Sequence, residues 1–231
     1  MTLKTLTPIE ARVLATLMEK ARTVPDSYPL TLNTLVLGCN QKTSREPLMD
    51  ISDDDARNAL QTLKSQSLVF EAAASRVPRF EHNFQRAAAV SEPQAVALGL
   101  LMLRGVQTAA ELRLNGDRWY KYADSNAVED VLLTLQERGD GGGQSMVRKL
   151  PKMPGAREVR WVHLLCGEPD ISALQAAASL PSRGDAEGVI ARLTALETTV
   201  ASLRADNQQL RAHLASISEQ LGITLEDQSP L

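Results

Sequence analysis

The 231-residue sequence predicts a mainly α-helical chain with small β wings (α+β): two tandem winged helix-turn-helix domains followed by a C-terminal coiled-coil helix. Two observations predict this class. The order of three helices and a hairpin occurs twice, and apolar residues near the carboxyl end repeat in heptads. Aromatic residues make up only 3% of the chain, so two small, mainly aliphatic cores fit its length best. The predicted segments are winged helix domain 1 (1–88), winged helix domain 2 (89–167), a short helix and linker (168–184), a coiled coil (185–222) and a flexible tail (223–231).

The first helix carries a complete start signal. Thr7 can cap it, the next residue is a proline that fits its first turn, and Glu10 can reach back to the cap. Apolar residues at helical spacing continue as far as Met18. After a loop bracketed by two prolines, apolar residues from Leu30 predict a short second helix that ends at Gly38.

A polar loop over 40–50 leads to the third helix. Ser52 is its predicted cap, and the three aspartates at 53–55 are favoured at its positive end. Strands are predicted over 68–70 and 79–84, joined by a short tip. Three helices and a hairpin in this order predict a winged helix.

The same succession of residue types occurs a second time. At an offset of 84, six residues within 7–20 match residues of the same kind within 91–104. At an offset of 72, four residues within 56–63 match four within 128–135. Between these segments, 108–112 carries another helix start with a threonine cap and a glutamate three residues later.

A second hairpin is predicted after the sixth helix of this series. Its strands are expected over 146–151 and 157–165, with a Pro-Gly turn between them. One more short helix is predicted over 171–178, and a linker over 180–185 leads to the coiled coil.

The C-terminal seam predicts how two copies associate. Its apolar residues alternate at steps of three and four over more than four heptads, and Asn207 at an a position favours a parallel, in-register dimer. The alternative is a helix folded back on its own domain. The predicted dimerisation residues are Val189, Leu193, Leu196, Val200, Leu203, Asn207, Leu210, Leu214, Ile217 and Leu221.

The charge distribution limits how nucleic acid could bind. The net charge is −3, yet residues 1–90 carry 11 Lys and Arg against 10 Asp and Glu, residues 91–167 carry 10 against 9, and residues 168–231 carry 4 against 9. A folded part so close to neutral cannot bind nucleic acid through bulk charge, so binding would need a local basic patch.

The second hairpin is the strongest basic patch. It carries a net charge of +4 over thirteen residues, and a wing can lie along a phosphate backbone. The alternative is a charged edge that only blocks strand pairing. The aspartates at 53–55 argue against close groove contact by the third helix, because carboxylates repel phosphates. The candidate nucleic-acid-binding residues are Arg148, Lys149, Lys152, Arg157, Arg160, Arg57, Lys64, Arg76 and Arg79.

The polar loop supplies a second candidate site, for a partner protein or a nucleic acid. Its side chains can both donate and accept hydrogen bonds. The alternative is structural: Asn40 caps the second helix while Ser44 and Arg45 hold the loop in place. The candidate residues of this loop are Asn40, Gln41, Lys42, Ser44 and Arg45.

Signals for catalysis are weak. His163 and Cys166 lie three residues apart, but no second closely spaced pair completes a zinc site. The sequence has no phosphate-binding glycine loop between a strand and a helix, and no recognisable nucleophile motif. We therefore expect no enzymatic activity, no metal and no cofactor. Trp119, Tyr120 and Tyr122 could stack on bases, although such aromatics more often belong to the core of the domain.

Several motifs are similar to those of the bacterial YceH family, a group defined by sequence. They are 39–47 (CNQKTSREP), 100–108 (LLMLRGVQT), 150–155 (LPKMPG) and 157–161 (REVRW). The resemblance covers roughly residues 5–167. It implies tandem winged helices, in agreement with the pattern of elements, but it brings no catalytic residues and no ligand.

Together these features favour a dimeric, winged-helix nucleic-acid-binding protein of the kind that regulates transcription, with basic wings on the phosphate backbone. The alternative is a tandem winged-helix protein–protein interaction module without DNA binding, similar in architecture to the tandem winged-helix subunit of bacterial condensin. The expected partner is a second copy of the chain, with DNA or another protein as the further ligand. No membrane span or signal peptide is expected, and two cysteines fit a reducing compartment, so the predicted location is cytoplasmic.

Overall fold

The structure is a computed structural model that describes residues 3–72, 77–139, 144–152 and 158–170, together with Arg204, Asn207 and Gln208. The chain divides into two compact units, Met1–Asp170 and Ile171–Leu231. In its described part the chain has an α+β fold, with seven helices and two small antiparallel sheets. No helix among the described residues is long and apolar enough to cross a membrane.

The elements form two similar series along the chain. The first consists of α1 (Pro8–Thr23), a 3-10 turn (Pro25–Ser27), β1 (Leu30–Thr31), α2 (Leu32–Cys39), α3 (Asp53–Ser65), β2 (Val69–Glu71), β3 (Arg79–His82) and α4 (Phe84–Ala88). The second consists of α5 (Glu92–Arg104), α6 (Ala109–Gly116), α7 (Ser125–Glu137), β4 (Val147–Lys149) and β5 (Trp161–His163). We call them the first and second repeats.

The helix starts confirm the capping predictions. The Thr7 hydroxyl accepts a hydrogen bond from the Glu10 amide at 3.2 Å, and the Glu10 carboxylate accepts one from the Thr7 amide at 2.8 Å. Equivalent reciprocal caps begin α3, α5 and α6. Each satisfies two amide groups that would otherwise lack a partner in the first helical turn.

Three predicted boundaries were wrong. Leu30 does not open the second helix but lies in β1, where it pairs with Phe80 of β3, because Thr31 is the cap that starts α2. The helix continues through Gly38 and ends at Cys39. Phe84 is not in a strand: the ladder ends where the Asn83 amide bonds the Leu68 carbonyl, and Phe84 then begins α4.

The second hairpin is shorter than predicted. β4 and β5 pair over three residues each, with Lys149 opposite Trp161. Two further backbone hydrogen bonds flank the ladder, one from Leu150 to the Arg160 carbonyl and one from Leu164 to the Met146 carbonyl, both at 2.8 Å. In the first repeat the strand order is β1-β3-β2, with Glu71 opposite Phe80.

The two repeats share one continuous hydrophobic core, whereas the sequence suggested two small ones. Buried residues of both repeats belong to a single apolar cluster, and α1 packs directly on α5. The Leu6 amide bonds the Leu165 carbonyl at 2.8 Å, and the Glu46 amide bonds the Leu103 carbonyl at 2.8 Å. These bonds join the first repeat to α5 and to the segment after β5, so the described residues of both repeats form one body rather than two independent ones.

The aromatic residues of the second repeat belong to this core, as expected. Trp119 and Tyr122 are buried, and Tyr120 packs against the cluster. A side chain at Gly99 of α5 would approach Trp119 to 2.8 Å, so the glycine is needed for the indole ring to pack on the helix. The Tyr122 hydroxyl donates to the Pro93 carbonyl at 2.6 Å.

The predicted helix over 171–178, the linker and nearly all of the coiled coil lie outside the described residues. Within the predicted seam, Arg204, Asn207 and Gln208 are helical and exposed. The parallel dimer therefore stays a prediction.

Candidate functional site

Three of the five basic side chains of the second hairpin are paired with carboxylates. Arg148 forms an ion pair with Glu168, Lys149 with Glu129 at 2.7 Å, and Arg160 with Glu111 at 3.3 Å. These pairs are partly exposed, so each contributes little to stability, but each neutralises a cation expected to face phosphate. Lys152 is exposed and makes no ion pair or hydrogen bond among the described residues. Arg157 lies outside them.

Besides its ion pair, Lys149 contacts the core of the second repeat. Its ammonium lies 5.3 Å from the centroid of the Trp161 ring, which is completely buried. Its amide donates to the Gln136 side chain at 3.1 Å. Strand β4 is therefore fastened to α7, and Lys149 covers the indole through a cation–π contact.

The basic candidates of the first repeat are also engaged. Arg57 pairs with Asp54 at 2.5 Å and with Asp53 at 3.6 Å along one face of α3. Lys64 of α3 pairs with Glu71 of β2. Arg79 donates to the Pro29 carbonyl at 2.8 Å. Arg76 lies outside the described residues.

The third aspartate of α3 has a capping function. The Asp55 carboxylate accepts hydrogen bonds from the Ser52 hydroxyl at 2.6 Å and the Ser52 amide at 3.1 Å. These bonds lower the pKa of Asp55, because they favour the charged carboxylate. At the start of α3, therefore, Asp55 caps the helix, and Asp53 and Asp54 pair with Arg57.

In the polar loop, Asn40 and Arg45 are tied to the framework. The Asn40 amide group exchanges two hydrogen bonds with the backbone of Ile51, at 2.8 and 2.9 Å, and so closes the loop. The Arg45 guanidinium is buried; it donates to the Gly38 carbonyl at 2.9 and 3.1 Å and to the Glu19 carboxylate. Ser44 stands next to it with φ of 63°.

Burial and ion pairing act in opposite directions on Glu19. Burial alone would raise the pKa of this carboxyl, but the hydrogen bonds and charges of Arg45 and of Lys20, which lies 3.0 Å away, together outweigh burial and lower it. Gln41 accepts a long hydrogen bond of 3.5 Å from Lys20, and Lys42 is exposed. Only Gln41 and Lys42 of the five loop candidates are therefore fully exposed, since Ser44 is half-buried.

A cleft in the first repeat was not predicted from the sequence. It lies between the start of α2, one face of α3 and the hairpin, and its volume is about 640 Å³. Its lining is largely apolar. The lining residues are Thr31, Leu32, Asn33, Asp53, Arg57, Leu60, Gln61, Lys64, Glu71, Val77, Pro78 and Phe80.

The polar side chains of the cleft fall into two groups. The charged ones are already paired with each other, Asp53 with Arg57 and Lys64 with Glu71. The amides of Asn33 and Gln61 are exposed and make no hydrogen bond among the described residues. An amide carries both donors and acceptors, so these two can bind a further polar group.

The register of the hairpins extends the internal repeat beyond the helices. Segments 79–82 (RFEH) and 160–163 (RWVH) match at an offset of 81. Phe80 and Trp161 are equivalent, because each lies opposite the last residue of the preceding strand. His82 and His163 are equivalent in the same way, because each lies opposite the first residue of that strand. Burial lowers the pKa of both histidines to about 4, so they are neutral near pH 7. The matching letters could have revealed this equivalence from the sequence.

His163 and Cys166 do not lie in a metal-binding cluster of the described chain. Among the described residues, no group of three or more potential metal ligands occurs. Burial raises the pKa of the Cys166 thiol to about 11, so it is protonated and a poor ligand near pH 7.

Comparison with known proteins places the chain in a family. The family model described as "Protein of unknown function, DUF480" matches residues 6–156. The UPF0502 protein of Polaromonas sp. (strain JS666 / ATCC BAA-500) is 71% identical over 98% of this chain and 95% of its own length. Those of Polaromonas naphthalenivorans (strain CJ2) and Albidiferax ferrireducens are 62% and 59% identical over 87% and 90% of this chain, and over 96% and 91% of their own lengths. The match to most of the described body and to nearly full-length relatives shows that the chain belongs to the DUF480, or UPF0502, family of bacterial proteins, in agreement with the YceH-like motifs.

Proposed function

We propose that the chain is a cytoplasmic, homodimeric protein-interaction module built of two tandem winged helices, which receives a protein partner in the cleft of the first repeat. The element order supports the winged-helix assignment. In the first repeat β1 adds to the hairpin beside three helices, and in the second a bridge between Gln107 and Trp161 occupies the place of β1. On this proposal the chain acts by binding and not by catalysis.

The observation that carries the proposal is the apolar cleft beside α3. In a DNA-reading helix-turn-helix, the third helix enters the major groove, and Lys and Arg contact the phosphates on either side. Here the surface beside α3 is a cleft whose apolar floor is formed by Leu32, Leu60 and Phe80. Apolar side chains in a concave surface of this volume are what a hydrophobic ligand group requires.

Charge supports the same conclusion. Arg57, Lys64, Arg148, Lys149 and Arg160 each have a carboxylate partner within the chain. A duplex would have to compete with these carboxylates for each of the five cations, which reduces the counterion release that drives nucleic-acid binding.

Duplex binding is the second candidate, and one observation favours it. The exposed face of α3 carries Arg57, Asn58 and Gln61, whose side chains can form two hydrogen bonds with a base edge. Lys152 adds a cation on the second hairpin that has no carboxylate partner among the described residues. The two candidates differ in their dependence on salt, since phosphate contact weakens steeply as salt rises and apolar burial does not.

A parallel coiled coil over 189–221 would place two clefts in one molecule. Two sites on one dimer would raise the apparent affinity for a partner that is itself dimeric or repeated. The dimer therefore belongs to the proposed function as the device that makes binding bivalent.

Site-specific photo-crosslinking in cells tests the proposal. A benzoylphenylalanine replaces Val77, an exposed residue at the cleft, and a matched variant carries it at Leu114, an exposed residue of α6 in the second repeat. We expect a discrete protein adduct at position 77 that survives nuclease and is absent at position 114. An adduct at position 77 that nuclease removes would favour duplex binding, and equal labelling at both positions would refute a site in the cleft.

A further inference from the structure

The two repeats differ at the polar positions of the cleft. The offset of 72 between α3 and α7 sets Gln61 against Leu133. Alignment of the caps of α2 and α6, Thr31 and Thr108, sets Asn33 against Ala110. The first repeat thus carries two amide side chains at its cleft where the second repeat has apolar residues.

These two amides are the polar groups of the cleft that have no partner within the described chain. Folding does not require either of them, because both are exposed and the second repeat forms its three helices and hairpin without them. An amide group offers one acceptor and two donors, which matches the alternating carbonyl and N–H groups of a peptide main chain.

The charges of the cleft require no charged ligand. Glu71 is balanced by Lys64, and Arg57 is shared between Asp53 and Asp54, so both cations of the cleft already have a carboxylate partner. A negatively charged ligand would find both cations already paired, and a positively charged one would have to displace Arg57 or Lys64 from its carboxylate. An uncharged segment can bind in the cleft without disturbing these ion pairs.

The length of the cleft can be taken from α3. Its lining residues on this helix run from Asp53 to Lys64, eleven steps along the chain. At about 1.5 Å per residue this is about 16 Å. An extended peptide rises about 3.3 Å per residue, so about five residues span the same distance.

We propose that the cleft binds an uncharged, extended peptide segment of about five residues from a partner protein, with apolar side chains at alternate positions and its main chain held by Asn33 and Gln61. This inference rests on the proposed function and names its ligand. In an extended chain, alternate side chains point to the same face, so two of them reach the floor formed by Leu32, Leu60 and Phe80. A helical ligand would leave both amides unused, since the main chain of a helix bonds to itself.

Selection from a random heptapeptide library displayed on phage tests this inference. The bait is the full chain, and counter-selection uses the double variant Asn33→Ala and Gln61→Leu, which gives the cleft the residues of the second repeat. We expect enriched peptides with no net charge and with apolar residues two positions apart. Apolar residues three or four positions apart would indicate a helix and would overturn the extended segment.

An enriched peptide, synthesised with a fluorescent label, then provides the quantitative test by anisotropy. Asn33→Ala and Gln61→Leu should each weaken it about threefold to tenfold, the effect of losing one or two hydrogen bonds. Asn126→Ala, an exposed asparagine on α7, is the matched control and should change nothing. Methylation of the peptide's central main-chain nitrogens should weaken binding by at least as much, and an increase from about 50 to 200 mM salt should change affinity less than twofold.

The outcomes separate this inference from the proposed function. If the peptide binds both amide variants as tightly as the native chain, and main-chain methylation does not weaken it, then Asn33 and Gln61 do not hold its main chain. A protein adduct at position 77 would still support the interaction module. No enriched peptide together with a protein adduct overturns the short extended ligand alone. No enriched peptide and no protein adduct overturns both.

Discussion

Replacement of Arg45 by methionine tests whether this loop residue supports the fold. Methionine keeps much of the side-chain volume but removes the guanidinium. The Gly38 carbonyl then loses two hydrogen bonds, and the Glu19 carboxylate loses its buried partner. Because Glu19 is itself mostly buried, water can replace little of what is lost.

The expected loss in the free energy of unfolding is large. Removing one member of a buried ion pair costs about 3–5 kcal/mol. Lys20 remains as a partner 3.0 Å from the Glu19 carboxylate, so the expected cost lies in the lower part of this range, at about 3–4 kcal/mol. For a chain of this size, each kcal/mol lowers the melting temperature by about 2–4 °C, so the variant should melt about 6–16 °C lower. Arg57→Met is the control: its ion pairs are largely exposed, so it should cost less than about 1 kcal/mol.

The cost should also depend on pH. In the native chain Arg45 lowers the pKa of Glu19, so the stabilisation from this pair is complete above the ordinary pKa of a glutamate and is lost as pH falls through the lowered value. Without Arg45, burial is opposed only by Lys20, so the pKa of Glu19 rises relative to the native chain, and protonation at low pH removes the buried charge. The stability difference between the two proteins should therefore shrink from about pH 7 to about pH 4.

Urea unfolding of the full chain at fixed protein concentration measures these differences. A second substitution, Glu19→Gln, in the Arg45→Met background should restore part of the stability at neutral pH, because it removes the buried carboxylate that has lost Arg45. A cost below about 1 kcal/mol for Arg45→Met, or one that is constant with pH, would contradict a buried Arg45–Glu19 pair.

Three further predictions concern the tail, the acidic helix start and the hairpin. Truncation after Gly184 should leave folded monomers by light scattering, and Asn207→Leu should raise stability while loosening the choice of oligomer; a full chain that is monomeric at micromolar concentration would contradict the dimer. Asp53→Ala or Asp54→Ala should lower stability in thermal melts by a few tenths to about 1 kcal/mol, and loss of partner binding at an unchanged melting temperature would instead make this surface functional. Random duplex DNA should not bind at about 50 mM salt; the nucleic-acid alternative requires a log-log salt slope of about −5 to −9 that Lys152→Ala flattens by about 1 per copy.

The helix starts could be predicted because their interactions are local. In the caps at Thr7, Ser52 and Thr108 the partner lies three residues along the chain, so a short pattern contains the whole interaction. The internal repeat was visible for a similar reason, since matching residues at constant offsets need no knowledge of the fold.

The strand β1 could not be predicted in this way. Its two residues pair with β3, about 50 residues further along the chain, and the leucines around them have the spacing of a helix. The helix pattern was correct for the residues after Thr31, but only the tertiary partner decides that Leu30 is extended. Long-range pairing here overrides local periodicity.

The same limit applies to the candidate site. The sequence shows five cations on the second hairpin but not that Glu111 and Glu129 lie beside two of them, because those acids are 49 and 20 residues away. The cleft is likewise assembled from α2, α3 and the hairpin, and no single segment carries its pattern. Counts of charge along a segment therefore overestimated the free positive charge of the wing.

The divergence of the two repeats separates what the fold needs from what a ligand needs. In both repeats an ion pair fastens the third helix to the hairpin, but the cation comes from the helix in Lys64–Glu71 and from the strand in Lys149–Glu129. The strand residues Glu71 and Lys149 share a register position, but at the offset of 72 Lys64 aligns with Gln136 and Glu129 with Arg57. An attachment that differs between the repeats in both sign and helix position serves the shape of each domain, since a ligand common to both repeats would have required the same charges in the same place. By the same reasoning Asn33 and Gln61, which have no counterpart in the second repeat and no partner among the described residues, are the positions where binding by the first repeat is to be sought.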